Sequence, residues 1–293
     1  MKVLVAGAGG LVGRAVVQHC LGEGCEIVGL DHAALDISNP KQIDIVFDRE
    51  LPDAVINCAA WTDVDGCELD PDRALRANAS GPELLAFTCR RLGALLITIS
   101  TDYVFDGVKQ GFYDQRDQPN PQSVYGLMKL EGERRAQQAW ARTIVVRSGY
   151  IFGEGGTNFL SEFLSRARRG ERIRAIRDCV GTPTYSRDLA RQLYRLVKLD
   201  LPGIYHVVNS GEGASFESFA RDVLAAAHLD EQLLESISAD DLARPAPRPR
   251  NSRLRCLLSS AVGLESLPTL PDALQRFVAN NSDSQSAGIL RTV

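Results

Sequence analysis

Gly7-Ala8-Gly9-Gly10-Leu11-Val12-Gly13 follows a short apolar run within the first eight residues, Met1 to Ala8, and opens a segment with apolar residues at helical spacing, Leu11 to Leu21. This order predicts a strand, a glycine turn and a helix. A glycine pattern in that position is more informative than the pattern alone, because nucleotide-binding folds place their phosphate site there.

Each glycine of the turn has a predicted role in holding a dinucleotide. Gly7 permits the tight turn, Gly10 lets backbone N–H groups approach a pyrophosphate, and Gly13 lets the helix pack close to the strand. The helix that begins at Leu11 and Val12 adds its N-terminal dipole, which favours an anion. A glycine turn that binds nothing is the alternative.

The second predicted strand, Cys25 to Leu30, is followed by a carboxylate at Asp31. A carboxylate there accepts hydrogen bonds from the adenosine ribose and repels a 2′-phosphate, which favours NADH. The neighbouring His32 leaves NADPH open, so the expected cofactor is NADPH or NADH, and capping of the next turn is the alternative role for Asp31. Asp36 and Ile37 are predicted adenine contacts.

Further runs that are apolar on both faces predict a parallel sheet covered by helices on each side. The predicted strands are Ala54 to Ala59, Leu95 to Ser100 and Thr143 to Arg147, and the predicted helices between them are Ala74 to Leu92 and Val124 to Trp140. The fold class is therefore α/β, with a doubly wound, mostly parallel (Rossmann) sheet and a smaller α/β substrate-binding lobe.

The regular alternation of predicted strands and helices becomes less regular after residue 148, which divides the chain. Residues 1–148, rejoined by about 185–209, are predicted to form the dinucleotide-binding domain. Residues from about 149–184 and 210–280 are predicted to form the substrate-binding lobe, and 281–293 a disordered tail. The proline-fixed stretch from Arg244 to Arg250 is expected to be an extended loop.

Composition excludes several classes of protein. The 293 residues carry 33 Lys and Arg against 37 Asp and Glu, so neither nucleic acid nor a membrane surface is an expected partner. The sequence has no apolar run long enough to span a bilayer and no signal-peptide pattern, which predicts a cytoplasmic protein. Seven scattered Cys and four His form no metal motif, so reduced thiols and no metal are expected.

Tyr125 and Lys129 are predicted to lie one helical turn apart on one face of a helix. A phenol donates a proton at neutral pH only when a nearby positive charge stabilises its anion, and the lysine supplies that charge. Tyr194 and Lys198 have the same spacing without supporting motifs and are interpreted as structural. Thr101 supports the first pair, because it ends an apolar strand at the edge of the sheet where ligands of such folds bind.

Several motifs, in this order, resemble those of the extended short-chain dehydrogenase/reductases. They are the glycine turn, Asn57-Cys-Ala-Ala60, Asn78-Ala-Ser-Gly81, Ser100-Thr-Asp-Tyr-Val-Phe-Asp-Gly107 and Tyr125-x-x-x-Lys129. Four longer runs are similar to the dTDP-4-dehydrorhamnose reductase family: Ala60-Trp-Thr-Asp-Val-Asp65, the Ser-Thr-Asp-Tyr-Val-Phe run, Gly181-Thr-Pro-Thr184 with Asp188-Leu-Ala190, and Arg248-Pro-Arg-Asn-Ser-Arg-Leu254. The similarity extends to about residue 280.

The resemblance implies hydride transfer from NAD(P)H to C4 of a nucleotide-linked 4-keto-6-deoxy sugar, with dTDP-4-dehydro-L-rhamnose as the expected substrate. In that scheme Tyr125 is the general acid, Lys129 lowers its pKa and holds the nicotinamide ribose, and Thr101 orients the carbonyl. The other implied contacts are Ala59 and Ala60 for the cofactor, and Val64, Asp102, Tyr150, Asn158 and Arg253 for the substrate. A homodimer is left open.

Three features qualify the resemblance. Asp102-Tyr103 lacks the second carboxylate of the sugar-nucleotide dehydratases, which favours reduction without elimination. Tyr150 stands where the reductase family usually has tryptophan, and Arg177-Asp-Cys-Val180 also departs from its pattern. Arg253, with Arg248 and Arg250, is a candidate contact for the nucleotide phosphates, against the alternative of a solvated loop.

Two other functions remain as alternatives. A sugar-nucleotide epimerase would use the same three residues to oxidise and then reduce C4. A non-catalytic regulatory subunit, as found for methionine adenosyltransferase, would use the same fold to bind a nucleotide and a partner. The presence of Thr101, Tyr125 and Lys129 favours an enzyme.

Overall fold

Parallel strands alternating with helices build the first part of the chain. The computed structural model describes the backbone from Met1 to Ile289 and the side chains as far as Asn281. In chain order the elements are β1 (Lys2–Ala6), α1 (Leu11–Gly22), β2 (Glu26–Leu30), α2 (Pro40–Glu50), β3 (Ala54–Asn57), α3 (Val64–Leu69), α4 (Pro71–Leu75), α5 (Gly81–Leu92), β4 (Leu95–Thr101), α6 (Val124–Ala139), β5 (Thr143–Ser148), β6 (Ile151–Phe152), α7 (Phe159–Arg168), β7 (Ile173–Ile176), β8 (Val180–Gly181), β9 (Thr184–Tyr185), α8 (Ser186–Leu199), β10 (Gly203–His206), β11 (Asn209–Ser210), β12 (Ala214–Ser215), α9 (Phe216–Ala226), β13 (Leu234–Ile237), α10 (Leu258–Ala261), β14 (Leu267–Thr269) and α11 (Leu270–Ile289).

Six strands form one central sheet in the order β2-β1-β3-β4-β5-β10. Every neighbouring pair is parallel, which confirms the predicted doubly wound sheet. The strand order reverses between β1 and β3, and ligands of open α/β sheets bind beyond the carboxyl ends of the strands at such a point. The glycine turn after β1 therefore lies beside the ends of β3 and β4.

Helices cover both faces of this sheet, as its apolar strands require. The side chains of β1 alternate between the two faces: Val3 and Val5 pack into the core shared with α1 and α8, and Leu4 and Ala6 into the core shared with α2 and α5. Burial of both faces explains why the strands read as continuous apolar runs in the sequence.

A second core lies outside the sheet and is built from aromatic side chains. Phe152, Phe163, Phe219 and Phe277 are fully buried and belong to β6, α7, α9 and α11. The rings of Phe219 and Phe277 both meet the ring of Phe152 edge to face, with centroids 5.0 and 5.3 Å away. The division of the chain into a dinucleotide-binding domain and a substrate-binding lobe stays a prediction.

The structure differs from the predicted elements in two places. The helix predicted from Ala74 to Leu92 is interrupted by a π-helical turn, Arg76–Ser80, where Asn78 exchanges hydrogen bonds of 2.9 Å with the backbone of Trp61. The tail predicted from residue 281 begins inside α11, which runs to Ile289; the stretch contains no proline to end the helix. Residues 290–293 of the predicted tail lie outside the described residues.

Candidate active site

A cleft of about 450 Å³ opens at the carboxyl edge of the sheet, between the glycine turn and the aromatic core of α7 and α9. It contains most of the residues predicted for catalysis and binding. Those that line it are Gly10, Leu11, Val12, Ala60, Val64, Thr101, Asp102, Tyr125, Lys129, Tyr150 and Asn158.

Two local features bring the start of α6 to the end of β4. Ser123 caps the helix, its hydroxyl accepting a hydrogen bond of 3.2 Å from the Gly126 N–H. Any side chain at position 126 would overlap the Tyr103 carbonyl oxygen, so Gly126 allows the close approach. Tyr125, which precedes it, therefore lies beside Thr101 at the strand end.

Thr101 and Tyr125 interact in the cleft. The Thr101 hydroxyl donates to Asp102 Oδ1 at 3.0 Å and accepts from the Tyr103 N–H at 3.2 Å. Burial raises the pKa of Tyr125 well above its usual value of 10, and hydrogen bonding by Thr101 opposes this shift. The phenol is therefore neutral at physiological pH, and its role as the proton donor stays a prediction.

Lys129 is buried on the same face of α6, but its ammonium group is not directed at the phenol. Its Nζ donates to the Ile99 carbonyl oxygen of β4 at 2.6 Å. Burial lowers the pKa of Lys129 to about 8, and the carboxylate of Glu133 opposes this shift. The predicted effect of Lys129 on the pKa of Tyr125 stays a prediction.

Asp102 is a buried carboxyl group that the sequence analysis connected only with the substrate. Its Oδ2 accepts a hydrogen bond of 2.5 Å from the Ser252 hydroxyl. Burial raises the pKa of Asp102 to about 6, and the hydrogen bonds from Ser252 and Thr101 oppose this shift. Gly149 makes room for the carboxyl group, because a side chain there would overlap it.

The glycine turn has the geometry of an anion site. Gly7 has a φ of +77°, and a Cβ there would lie 2.7 Å from the Ala59 backbone nitrogen. A Cβ at Gly13 would overlap the Gly7 carbonyl oxygen. Gly10 precedes α1 and provides no side-chain cap, so the first N–H groups of the helix are available to a phosphate group.

The remaining predicted cofactor residues lie outside the lining of the cleft. Asp31 is exposed beside Gly9, and its Oδ1 accepts from the Ala34 N–H at 3.0 Å, so the turn-capping role exists in the structure. Asp36 accepts from the Ser38 N–H and hydroxyl.

Two further predicted contacts have side chains committed elsewhere. The Ile37 side chain is buried against Gly81 in the core under α5, so only its backbone is available to an adenine ring. Ala59 packs against Gly7, and its N–H donates to Asn57 Oδ1 at 3.1 Å.

Tyr150 and Asn158 also line the cleft. The Tyr150 ring stacks on Phe216, with centroids 4.6 Å apart, and Gly181 leaves the space for it. Tyr150 has a φ of +46°, an uncommon backbone conformation for a residue with a side chain. Asn158 caps α7, its Oδ1 accepting from the Ser161 N–H at 3.0 Å.

The three arginines predicted to meet phosphate groups bind other parts of the protein. Arg253 does not line the cleft: its Nε donates to Asn251 Oδ1 at 2.9 Å. Arg248 forms an ion pair of 2.5 Å with Asp65, and Arg250 one of 2.7 Å with Asp178. A basic loop in the sequence gives no information about carboxylates from distant segments, and these neutralise two of the three charges.

The sequence analysis missed Ser252 and Phe216 as neighbours of the site. Ser252 lies within the Arg248 to Leu254 run that carries the family resemblance. That run drew attention to its position, but nothing in the sequence indicated that it binds Asp102. Phe216 begins α9 and carries no motif.

Within the described residues, no three His, Cys, Asp or Glu side chains are grouped so that they could hold a metal ion. Among these same residues, every helix is too short or too polar to span a bilayer.

Comparisons with known proteins give one consistent result. A family model described as the RmlD substrate binding domain matches residues 1–282. The dTDP-4-dehydrorhamnose reductase of Mycolicibacterium smegmatis is 35% identical, over 95% of this chain and 85% of that protein. The spore coat polysaccharide biosynthesis protein SpsK of Bacillus subtilis is 34% identical, over 86% of this chain and 88% of that protein.

A solved structure has the same fold throughout. It is the dTDP-4-dehydrorhamnose reductase of Bacillus anthracis in complex with NADP, which is 31% identical with a TM-score of 0.91 and covers 95% of this chain and 99% of that one.

Proposed function

The chain belongs to the RmlD substrate binding domain family, and we propose that it is a dTDP-4-dehydrorhamnose reductase, which uses NAD(P)H to reduce dTDP-4-dehydro-L-rhamnose at C4 to dTDP-L-rhamnose. The observation that carries this proposal is the convergence of Thr101, Tyr125 and the glycine turn on one cleft. Their order in the sequence resembles that of the family, and the fold brings them together.

The residues of the turn fit a dinucleotide. Gly7, Gly10 and Gly13 leave no side chain between the backbone and a pyrophosphate, and the N-terminus of α1 supplies uncapped N–H groups. Lys129 would hold the nicotinamide ribose, and Asp31 the adenosine ribose. When bound, NAD(P)H supplies the hydride that the sugar carbon accepts.

The chain itself supplies the proton and the orientation of the carbonyl. Tyr125 gives its phenolic proton to the carbonyl oxygen as the alcohol forms, and solvent later restores that proton. Thr101 lies beside the phenol and orients the same oxygen. Tyr150 offers an aromatic face, backed by Phe216, on which a sugar ring stacks.

The relatives support reduction over the two alternatives. The Mycolicibacterium smegmatis and Bacillus anthracis proteins both carry a reductase name, and the second contains NADP. Neither an epimerase nor a regulatory subunit is needed to explain the site. Thr101, Tyr125 and Lys129 are buried and would serve an epimerase equally, so the preference for reduction rests on the relatives.

The test is to add dTDP-4-dehydro-L-rhamnose to the protein with NADPH or with NADH. Consumption of the cofactor is measured as the loss of its absorbance. Wild-type protein is expected to turn over. Tyr125→Phe is expected to lower kcat by about 10²- to 10⁴-fold, because it removes the transferable proton, while cofactor affinity is retained. Full turnover by Tyr125→Phe would show that another group is the acid, and tight cofactor binding without any turnover by wild-type protein would favour the regulatory subunit.

Two further expectations concern the setting of the enzyme. We propose that it acts in the cytoplasm, where NAD(P)H is available and its seven free Cys side chains stay reduced. A homodimer also stays a prediction, which light scattering on the purified protein tests through its molar mass.

A further inference from the structure

Two consecutive residues of β4, immediately before Thr101, are joined to consecutive turns of α6. The Lys129 ammonium donates to the Ile99 carbonyl oxygen at 2.6 Å. One helical turn later, Glu133 Oε1 accepts a short hydrogen bond from the Ser100 hydroxyl. These two contacts set the position of the helix that carries Tyr125 and Lys129 against the strand that carries Thr101.

The second contact contains a buried ion pair. Arg147 of β5 lies beside Ser100 in the sheet, and its Nε and a terminal nitrogen donate to the Glu133 carboxylate at 3.0 and 2.7 Å. Both side chains are almost fully buried, with exposed fractions of 4% and 2%. The Phe105 ring covers the guanidinium group, whose centre lies 5.2 Å from the ring centroid. Glu133 is thereby held in one position behind the catalytic residues.

Lys129 faces three titratable groups from three elements. Cys58 follows β3, Cys67 lies in α3 and Glu133 lies on the same helix as the lysine. Burial raises the pKa of the two thiols, of Cys58 to about 12 and of Cys67 to about 11, so both are neutral at physiological pH. Glu133 is therefore the charged group among these neighbours, and its carboxylate favours the ammonium form of the lysine.

We propose that Glu133, held by Arg147 and Ser100, is a positioning residue for the reaction: it fixes α6 against β4 and keeps Lys129 protonated for cofactor binding. The role of Lys129 at the cofactor rests on the proposed function. Neither Glu133 nor Arg147 itself lines the cleft, so both act through residues that do, such as Ser100.

The proposal is tested by titrating NADPH into the protein, followed by nucleotide fluorescence, from about pH 6 to pH 10. In wild-type protein, affinity is expected to fall with a midpoint near the Lys129 pKa of about 8. In Glu133→Gln the midpoint is expected to lie about one pH unit lower, because the favourable charge is lost. In Glu133→Asp, which retains the charge, the midpoint is expected to stay in place.

Two further variants identify the group that titrates and separate its effect from a failure to fold. Lys129→Met is expected to bind weakly and to lose the alkaline fall in affinity, which assigns that fall to the lysine. If Glu133→Gln does not fold because Arg147 is left unpaired, Glu133→Gln/Arg147→Gln removes both charges and is again expected to have a lower midpoint than wild-type protein. The same midpoint in wild-type protein and in the folded Gln variant, or equal shifts in the Gln and Asp variants, would overturn the proposal.

Binding of NADPH requires no sugar substrate, so the two proposals fail separately. Wild-type protein that binds NADPH with the expected midpoint but leaves dTDP-4-dehydro-L-rhamnose unchanged contradicts the proposed function alone. Turnover by wild-type protein, with a midpoint that the charge at position 133 does not affect, contradicts the role of Glu133 alone.

Discussion

Ser252 donates a hydrogen bond to Asp102 across 150 positions of the chain, with 2.5 Å between Oγ and Oδ2. Asp102 directly follows Thr101 and also accepts a hydrogen bond from the Thr101 hydroxyl. One carboxyl group therefore joins the end of β4 to the loop that runs from Arg248 to Leu254. The N–H of Ser252 donates to the Val180 carbonyl oxygen at 2.8 Å, which fixes this part of the loop. The Ser252 hydrogen bond thereby links this loop to the strand end that carries Thr101, although none of the loop residues from Arg248 to Leu254 lines the cleft.

Replacing Ser252 by alanine is expected to raise the pKa of Asp102 further above 6, because a hydrogen bond that favours its ionised form is lost. The loop also loses its tie to Asp102. We expect KM for the sugar nucleotide to rise by about tenfold with a smaller change in kcat, since the loss of one hydrogen bond to a charged group amounts to about 1.5–3 kcal/mol. Steady-state kinetics over a range of pH measure both parameters.

Ser236→Ala is the matched control for the serine change. Its hydroxyl also donates to a carboxylate, Glu217 Oε2 at 2.8 Å, but on an exposed strand away from the cleft. Equal effects of the two alanine variants on KM would contradict a specific role for Ser252.

Asp102 makes the stability of the fold depend on pH. Burial raises its folded-state pKa from 3.8 to about 6, so its contribution to stability is full below pH 3.8 and is lost as pH rises through 6. Asp102→Asn removes this loss. Relative to wild-type protein, the free energy of unfolding of the variant is expected to rise by about 2 kcal/mol between about pH 4 and pH 8. Urea denaturation at several pH values measures the difference, and a difference that is constant with pH would show that Asp102 keeps an ordinary pKa.

Gly13→Ala is expected to damage the cofactor site, because the new Cβ overlaps the Gly7 carbonyl oxygen and pushes α1 away from the turn. Forcing a methyl group into such a contact costs about 1–3 kcal/mol of stability, and we expect the Kd for NADPH to rise by at least about tenfold. Gly22→Ala on the same helix is the control, since nothing lies within 4 Å of its Cβ position. Thermal unfolding and fluorescence titration of both variants give the comparison, and equal affinities would contradict the packing role of Gly13.

Asp31→Ala is expected to raise kcat/KM for NADPH relative to NADH by about tenfold, because it removes a carboxylate that repels the 2′-phosphate. Asp31 is exposed beside the glycine turn, so the substitution leaves the core intact. Glu26→Gln removes a carboxylate from the first residue of β2, the strand that Asp31 follows, and is expected to leave the ratio unchanged. An unchanged ratio in Asp31→Ala would indicate that the turn-capping bond to Ala34 is the role of this side chain.

Some features of the site follow from short stretches of sequence. The runs around Val3, Ile56 and Val146 are apolar on both faces, and only a covered parallel sheet buries such strands. The helical period alone places Tyr125 and Lys129 on one face of α6. In each of these cases the residues that form the pattern lie within a few positions of one another, so local spacing is enough to predict the strand or the helix face.

The sequence alone determined the doubly wound sheet, the glycine turn and the nature of the three predicted catalytic residues, because covalent neighbours and residue periodicity fix them. Other features depend on segments that meet only after folding. Tertiary structure decided that Ser252 binds Asp102, that Arg253 turns away from the cleft and that the Lys129 ammonium meets the Ile99 carbonyl oxygen. A side chain's partner across the fold is chosen by competition among all the donors, acceptors and charges that packing brings within reach, and that competition leaves no pattern in the local sequence.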